Sequence, residues 1–335
     1  MSSIKAWVAP AVKQKLVQQD VDLGPLGDEE VEVQVEHCGL CHSDLSMLEN
    51  EWSLTTFPAI FGHEVVGVVT AVGSAAKGRQ VGQRVGVGWS AGSCMHCREC
   101  LSGSQHLCAQ VQPTIVGHRG GFAERVRAHW AWTIPLPEKL NMADAGPLLC
   151  GGITVFNPLA MHAKPTSRVG IVGIGGLGHM GVKFAAAYGC EVTAFTSSPA
   201  KFDEARGFGA HHVVSSRDAS AFAKLAGSFD LLLVTVNVPL DWNGLINTLA
   251  PNGRLHMVGA VTEPMPIAAL PLIFGQKSVS GSPTGSPVAI STMLDFAARH
   301  EISPQTEHLP MSLINEAFEH LRAGKARYRI VLDAD

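Results

Sequence analysis

The stretch Gly92–Cys108, GSCMHCRECLSGSQHLC, places four of the chain's eight cysteines within seventeen residues. Their spacing is Cys94-x2-Cys97-x2-Cys100-x7-Cys108, and the two-residue gaps let successive thiolates turn back toward one point. Four sulfurs so arranged match the tetrahedral shell of a zinc ion, with Zn–S bonds of about 2.3 Å. Glycine and serine neighbours make the segment a loop with no apolar face of its own, so a metal would replace the missing core. Disulfides or ordinary buried cysteines are the competing readings; a cytosolic chain disfavours the first and a loop disfavours the second. Four thiolates leave no open coordination position, so this zinc is expected to hold a lobe, about residues 92–110, and to do no chemistry.

Chemistry must then be sought elsewhere. Arg168–Ser198 reads RVGIVGIGGLGHMGVKFAAAYGCEVTAFTSS, an apolar strand, then Gly173-x-Gly175-Gly176-x-Gly178, then a helical stretch and a second strand. Between a strand and a helix, such glycines are a dinucleotide-binding fingerprint that lets a pyrophosphate approach the free N–H groups of the helix N-terminus. An NAD site of this type has Asp or Glu at the end of the second strand. This chain has Thr196-Ser197-Ser198 there, followed by Lys201. A carboxylate about 4 Å from a 2′-phosphate would cost on the order of 4 kcal/mol per unit charge at an effective dielectric of about 20. Hydroxyls and a lysine suit the extra phosphate of NADP; otherwise Ser-Ser-Pro is a plain turn and Lys201 a solvated helix residue.

Three further motifs carry metal-ligating types: CGLCHSDL (Cys38–Leu45), FGHEVVG (Phe61–Gly67) and PLLCGGITVF (Pro147–Phe156). Spacing alone does not bring Cys41, His63 and Cys150 together, and each could be a core residue. In order, however, GLCHSD, GHE, the four-cysteine loop, CGGIT and the glycine motif resemble the zinc-dependent medium-chain alcohol dehydrogenases, specifically the cinnamyl alcohol dehydrogenase-like branch, over essentially the whole chain. The resemblance implies a second, catalytic zinc held by Cys41, His63 and Cys150, with Glu64 as an intermittent fourth ligand. Two thiolates, one imidazole and one free position are what such a zinc requires.

By the same resemblance Ser43 passes the substrate proton outward, Asp44 orients His63, and His42 lies near the cofactor pyrophosphate. Leu177 in the glycine turn, Thr154, Gly259 and Ser280-Gly281-Ser282 belong to the cofactor-binding set, the threonine and the serine segment beside the nicotinamide and ribose. The branch uses the serines and lysine matching Ser197, Ser198 and Lys201 for NADP, and it implies a homodimer. Relatives place a histidine five positions after the zinc cysteine as the end of a proton relay, where this chain has Ser46. Protons are then expected to leave through His42 or water. Trp52 and Trp89 face either the substrate pocket or the core. Cys38 and Cys190 read as core residues, and the adjacent His211 and His212 make a poor chelate because neighbours on a strand point to opposite faces.

The elements that must position these residues fall into two patterns. The first 150 residues show short alternating runs, VEVQVEH and EVVGVVTAVG, between glycine-rich turns, which predict a mostly β domain. After residue 168, strands such as HHVVSS, FDLLLVTV, GRLHMVGA and KSVSGSP alternate with helical patterns, which predicts a doubly wound parallel sheet. Ser286-Pro287 opens a helix with Ile290, Met293, Leu294 and Ala297 on one face, and the tail has a helix with Ile314, Ala317, Phe318 and Leu321 on one face, a stop at Gly324 and a strand YRIVL. The expected fold class is α/β: a GroES-like catalytic domain over 1–152, a Rossmann NADP-binding domain over 153–286, and a return to the catalytic domain over 287–335, with the active site in the cleft.

Composition narrows the function classes. A net charge of −4 with 16% charged residues gives no basic surface to track a phosphate backbone, so nucleic acid is not an expected partner. The start, MSSIKAWVAPAVKQKL, lacks the apolar core of a signal peptide and no run of eighteen apolar residues occurs, which points to a cytoplasmic protein off the membrane. The expected activity is reversible hydride transfer between a primary alcohol, aromatic or aliphatic, and NADP, running as aldehyde reduction. Its rivals are an NAD-linked polyol or secondary alcohol dehydrogenase, against which Thr196–Ser198 speak, and a non-catalytic nucleotide-binding zinc redox sensor, which needs no open metal site.

Overall fold

The computed structural model describes residues 3–335, the side chain of Ala219 excepted. The chain divides into two compact units, one running to Ile153 and resuming over Thr284–Asp335, the other formed by Thr154–Pro283. The fold class is the expected α/β one.

The second unit is built on six strands in the order His212–Ser215, Glu191–Thr196, Arg168–Val172, Phe229–Val234, Leu249–Met257, Ser278–Gly281. All five pairings are parallel. In chain order this is 3-2-1-4-5-6, the doubly wound arrangement that puts ligands at the carboxyl ends of the strands where the order reverses. Strands covered on both faces must be apolar throughout, and Val169, Ile171, Leu231, Leu232, Leu233 and Val234 are fully buried.

The first unit centres on a seven-stranded sheet in which the long strand Glu30–Leu40 pairs antiparallel with Val65–Val72, Arg125–His129 and Arg329–Asp333. Alternation along VEVQVEH sends Val31, Val33 and Val35 into a core with Phe61, Phe122, Ile314 and Phe318. The strand nearest the carboxyl terminus slots in with Ile330 opposite Leu40 and Asp333 opposite His37, and Thr306–Pro310 runs parallel on its outer side.

The helix Pro287–Arg299 is capped by Ser286, whose Oγ accepts the Ala289 N–H at 3.3 Å, and it buries Ile290, Met293, Leu294 and Ala297 as one stripe. In the tail helix Ile314–Arg322, Ile314, Ala317 and Phe318 are buried and Leu321 packs at the core's edge. The cysteine-rich segment departs from the expected plain loop. It contains a one-turn helix, Arg98–Leu101, started by the Cys97 thiol accepting the Cys100 N–H, and Cys100 and Cys108 are buried although the lobe has no apolar core.

One charge cluster is built into the sheet's other face. Glu32, buried, accepts from Arg125 Nη1 at 2.8 Å and from Arg127 Nε and Nη2 at 2.9 and 2.8 Å. Burial pushes this carboxyl up, but the two guanidiniums outweigh it and hold it below its ordinary value. A depressed folded pKa contributes stability that is present above the unfolded value of about 4.3 and is lost as pH falls through the folded value. Glu32→Gln is expected to cost about 3–5 kcal/mol at pH 7, as for a broken buried pair. The gap between the variant's melting temperature and the wild type's should narrow in acid; a constant gap down to pH 3 would show that the charge is not the cause.

Candidate active site and metal centres

The four lobe cysteines bring their sulfurs within 4.8 Å of one another. Cys94–Cys108, Cys97–Cys108 and Cys94–Cys100 are 3.5, 3.7 and 3.9 Å apart. Bonds of about 2.3 Å to a tetrahedral centre separate sulfurs by about 3.8 Å. The set therefore fits a zinc ion. Backbone N–H groups of Cys97, Cys100 and Gln110 point at the sulfurs of Cys94, Cys97 and Cys108 at 3.4, 3.4 and 3.3 Å, so the chain also supplies donors to thiolate charge.

A second cluster lies inside the first unit, where Cys41, His63, Glu64 and Cys150 are all buried with ligand atoms within 4.8 Å. Cys41 Sγ is 3.9 Å from Cys150 Sγ, and His63 Nε2 is 3.2 Å from Cys150 Sγ. The local sequence explains how they are aimed. Cys41 caps the helix His42–Glu49, and Asp44, three residues on, closes the cap by accepting the Cys41 N–H at 2.9 Å. The other Asp44 oxygen takes the Gly62 N–H at 2.9 Å and His63 Nδ1 at 3.0 Å. With Nδ1 held by Asp44, Nε2 faces the sulfurs, the orientation a metal-ligating imidazole needs. Gly62 sits at φ +93°, and a Cβ there would lie 2.7 Å from the Phe122 ring, so only glycine makes this turn. Cys150 follows the turn Gly146–Leu149 and immediately precedes the helix Gly151–His162.

The buried groups of this cluster perturb one another strongly, and the Cys150 thiol is pushed well above its usual range, first by its hydrogen bond to Cys41 and then by burial. Burial pushes the Glu64 carboxyl up to about 7, with Arg329 pulling the other way and Cys41 adding to the rise. One Glu64 oxygen pairs with the Arg329 guanidinium, whereas Oε2 has no hydrogen-bond partner, an orphan that a metal would satisfy. The Cys41 thiol is drawn well below its usual range, first by a hydrogen bond from Cys150, against burial, with Arg329 and His63 assisting. Burial alone would lower the His63 imidazole, yet Asp44 holds it well above its usual value. Arg329 escapes a reading of the sequence. Its one signal is a charge opening the otherwise apolar strand RIVL.

Around the cluster, Ser43 is half-buried with Oγ 3.8 Å from Cys41 Sγ, and His42 is exposed. Ser46 is buried and donates to Glu51 Oε2 at 2.7 Å. The half-buried Trp89 meets His63 edge to face at 5.1 Å, and Trp52 packs on Trp89 at 6.3 Å. Cys38 lies in the core, as does Cys190.

In the second unit the glycine turn joins the strand Arg168–Val172 to the helix Gly178–Ala187. A Cβ on Gly173 would lie 2.2 Å from Val236, and one on Gly178 would lie 1.8 Å from the Gly173 carbonyl oxygen, so both are needed for the turn to close. At Gly175 a Cβ would meet nothing within 4 Å, leaving open space above the backbone, as a cradle for a pyrophosphate requires. Gly176 and Leu177 complete the turn, and Leu177 stands at the helix N-cap. Gly259 lies against Val236, where a Cβ would be 1.9 Å from its carbonyl oxygen.

At the end of the second strand Thr196 is buried and its Oγ1 accepts the Ser198 N–H at 3.2 Å, while Ser197 is exposed. Lys201 Nζ reaches the Ile174 carbonyl at 2.8 Å, which places the ammonium group at the glycine turn. Thr154 is buried on the helix Gly151–His162. The hydroxyls of Ser280 and Ser282 flank His256, at 2.9 Å from Nδ1 and 2.8 Å from Nε2, with Gly281 between them. Burial first, then His162 and Arg254, push His256 down to about 4, so one ring nitrogen donates to a serine and the other accepts. His256 was not foreseen; a lone histidine in an apolar strand is its only trace.

The two clusters should respond differently to substitution. Cys97→Ser is expected to lower the melting temperature sharply, since structural zinc contributes about 10–16 kcal/mol of apparent binding energy in peptides. Asp44→Asn, which turns one of the two accepting oxygens into a donor, should lower the melting temperature and weaken metal retention by about 10–100-fold, read by metal content of the folded protein during chelator titration. Unchanged retention would show that Asp44 does not hold His63 for a metal.

Comparisons with known proteins agree with this geometry. Residues 27–138 match the alcohol dehydrogenase GroES-like domain and residues 176–299 the zinc-binding dehydrogenase domain. The chain is 52% identical over 330 residues to aldehyde reductase AdhA of Synechocystis sp., covering 98% of each. It superposes on a cinnamyl alcohol dehydrogenase of Sorghum bicolor with a TM-score of 0.95 at 36% identity, covering 99% of this chain and 98% of that one. It superposes on the Helicobacter pylori CAD complexed with NADP(H) with a TM-score of 0.90 at 28% identity, covering 99% and 98%. With a thiolate–imidazole cluster in one unit and a dinucleotide turn in the other, the chain belongs to the zinc-binding medium-chain alcohol dehydrogenase family, an alcohol dehydrogenase or aldehyde reductase.

Proposed function

We propose that the protein is an NADP-dependent zinc aldehyde reductase and alcohol dehydrogenase of the cinnamyl type, holding two zinc ions per chain. The observation that carries the reading is the buried convergence of Cys41, His63 and Cys150, three ligands that leave a coordination direction for substrate or water. Zinc bound there would supply Lewis acidity to an alcohol or aldehyde oxygen, the effect that lowers the pKa of bound water to about 7. A nicotinamide dinucleotide supplies the hydride donor or acceptor. The four lobe thiolates hold the structural ion.

The remaining roles belong to the chain. Asp44 keeps the His63 tautomer fixed. Glu64, tethered by Arg329, offers its unpartnered oxygen as an intermittent ligand. Ser43, beside Cys41, takes the substrate proton at its hydroxyl and passes it toward exposed His42 or water. Ser46 cannot act as a free relay because its hydroxyl is committed to Glu51. Trp89 and Trp52, packed edge to face, supply apolar aromatic surface next to His63, which suits aromatic and aliphatic aldehydes.

The NADP preference is supported by Thr196, Ser197 and Ser198 at the strand end, with no carboxylate there, and by the ammonium of Lys201 at the glycine turn. Thr154, Ser280, Gly281 and Ser282 hold the nicotinamide end. A homodimer is supported by the unpaired edge strand Ser278–Gly281 and by Leu270, Ile273 and Phe274, exposed on the helix Ala269–Gly275, with Phe274 85% exposed. No helix among the described residues is long and apolar enough to cross a membrane. We place the protein in the cytoplasm, where its thiols stay reduced.

Initial rates of NADPH and NADH oxidation by the zinc-loaded protein, with cinnamaldehyde, benzaldehyde and short aliphatic aldehydes, should favour NADPH strongly, and Lys201→Glu should erase most of that preference. A preference for NADH would move the protein to an NAD-linked branch, and no rate with either would leave a non-catalytic nucleotide-binding zinc protein. In sedimentation, the wild type should run as a dimer and Phe274→Asp should shift it toward monomer; a wild-type monomer would end the dimer reading.

A further inference from the structure

Away from both cysteine clusters, the first unit gathers a third set of metal-ligating side chains, on three neighbouring strands. His37 lies on Glu30–Leu40, Asp333 directly opposite it on Arg329–Asp333, and His308 on the edge strand Thr306–Pro310. His37 Nδ1 is 2.7 Å from Asp333 Oδ1, and His308 Nδ1 is 3.0 Å from the same oxygen. The three ligand atoms lie within 4.8 Å of one another. Bonds of about 2.0–2.1 Å to nitrogen and oxygen set ligand atoms about 3.3 Å apart, so small side-chain rotations would open the set around an ion. The imidazole planes are perpendicular, at 89°, and present the same ring nitrogen to one point. Side-chain exposures of 24, 32 and 36% for His37, His308 and Asp333 let an ion enter from water.

The far side of His308 is also prepared. Its Nε2 is 3.1 Å from Asp144 Oδ1, and Asp144 is in turn held by Thr306 Oγ1 and Asn141 Nδ2. A carboxylate behind the non-ligating nitrogen of a histidine fixes its tautomer and raises its basicity as a ligand. Two neutral imidazoles with two carboxylates carry a charge of −2, which one divalent ion would balance.

We propose that His37, His308 and Asp333 bind one divalent transition-metal ion of the zinc, cobalt or nickel kind, with Asp144 as the outer carboxylate of His308. Binding replaces the Nδ1 protons of both histidines and keeps the Nε2–H bond to Asp144; water completes the shell. With no sulfur ligand, the site lacks the soft donors that define the two cysteine clusters. The ion would tie the edge strand Thr306–Pro310 to the two strands inside it, including the one that carries Arg329.

The test adds cobalt(II) to the zinc-loaded full-length protein and compares wild type with the His37→Gln, His308→Gln double variant. Wild type should retain one cobalt per chain more than the variant. That ion should show weak ligand-field bands without the intense ultraviolet absorption of cobalt thiolate, and it should raise the melting temperature of the wild type only. Asp333→Asn, which keeps the side chain's shape, should weaken the same binding at least tenfold, and it serves if the double variant fails to fold. An extra ion with thiolate absorption, equal cobalt uptake by the variants, or no uptake beyond zinc in wild type would each overturn the site.

Discussion

Burying a carboxylate is costly unless donors meet its oxygens, and the first unit organises its reactive cluster around one such group. Asp44 has no exposed surface, and its two oxygens take the Cys41 N–H, the Gly62 N–H and His63 Nδ1. Three constraints follow from one side chain. The helix His42–Glu49 starts at a fixed residue, the loop before the strand Val65–Val72 is pinned at Gly62, and the His63 ring is held in one orientation. Cys41 and His63, 22 residues apart in sequence, are thereby aimed at a common point before any metal is considered. Removing Asp44 would disturb a cap, a turn and a tautomer together.

The two sulfur clusters solve different problems with the same element. In the lobe, four convergent cysteine sulfurs with backbone N–H groups pointed at three of them stand where the segment lacks a hydrophobic core, and its leucines, Leu101 and Leu107, stay exposed. In the buried cluster two cysteines converge with an imidazole, and the nearby Glu64 carboxyl pairs with Arg329 through one oxygen and leaves the other unpartnered. A closed shell suits holding a fold and an open one suits chemistry. The sulfur separations, 3.5 to 3.9 Å across both clusters, indicate that the backbone already sets the geometry an ion would need.

What was legible in the sequence is what the backbone determines locally. The glycine turn, the capped helix at Ser286 and its buried stripe, the alternation in Val31–Val35 and the apolar strands of the parallel sheet each depend on neighbours a few residues away. Cys94, Cys97 and Cys100 belong with them, because short gaps imply convergence. Cys41, His63 and Cys150 came from their motifs taken together, since no local rule joins residues that far apart. Arg329 was out of reach for that reason: it meets Glu64 across 265 positions, through a strand register that periodicity does not encode. His37 and Asp333, separated by 296 positions, were hidden in the same way. The short helix in the lobe was missed because its cap is a sulfur, which turn chemistry based on Ser, Thr, Asn and Asp does not anticipate.

The return of the chain to the first unit is more than a topological detail. The strand Arg329–Asp333 contributes Ile330, Val331 and Leu332 to the core, a sufficient reason for it to stay in the sheet. The same strand begins with a buried cation and ends with a carboxylate shared by two histidines. A guanidinium at that depth is tolerable only with a partner, and Glu64 is the carboxylate that meets it. Glu64 in turn, next to two thiols, would be crowded by negative charge without Arg329. The register of a single strand, Ile330 against Leu40, thus places the guanidinium beside the buried carboxyl that lies next to the two cysteines.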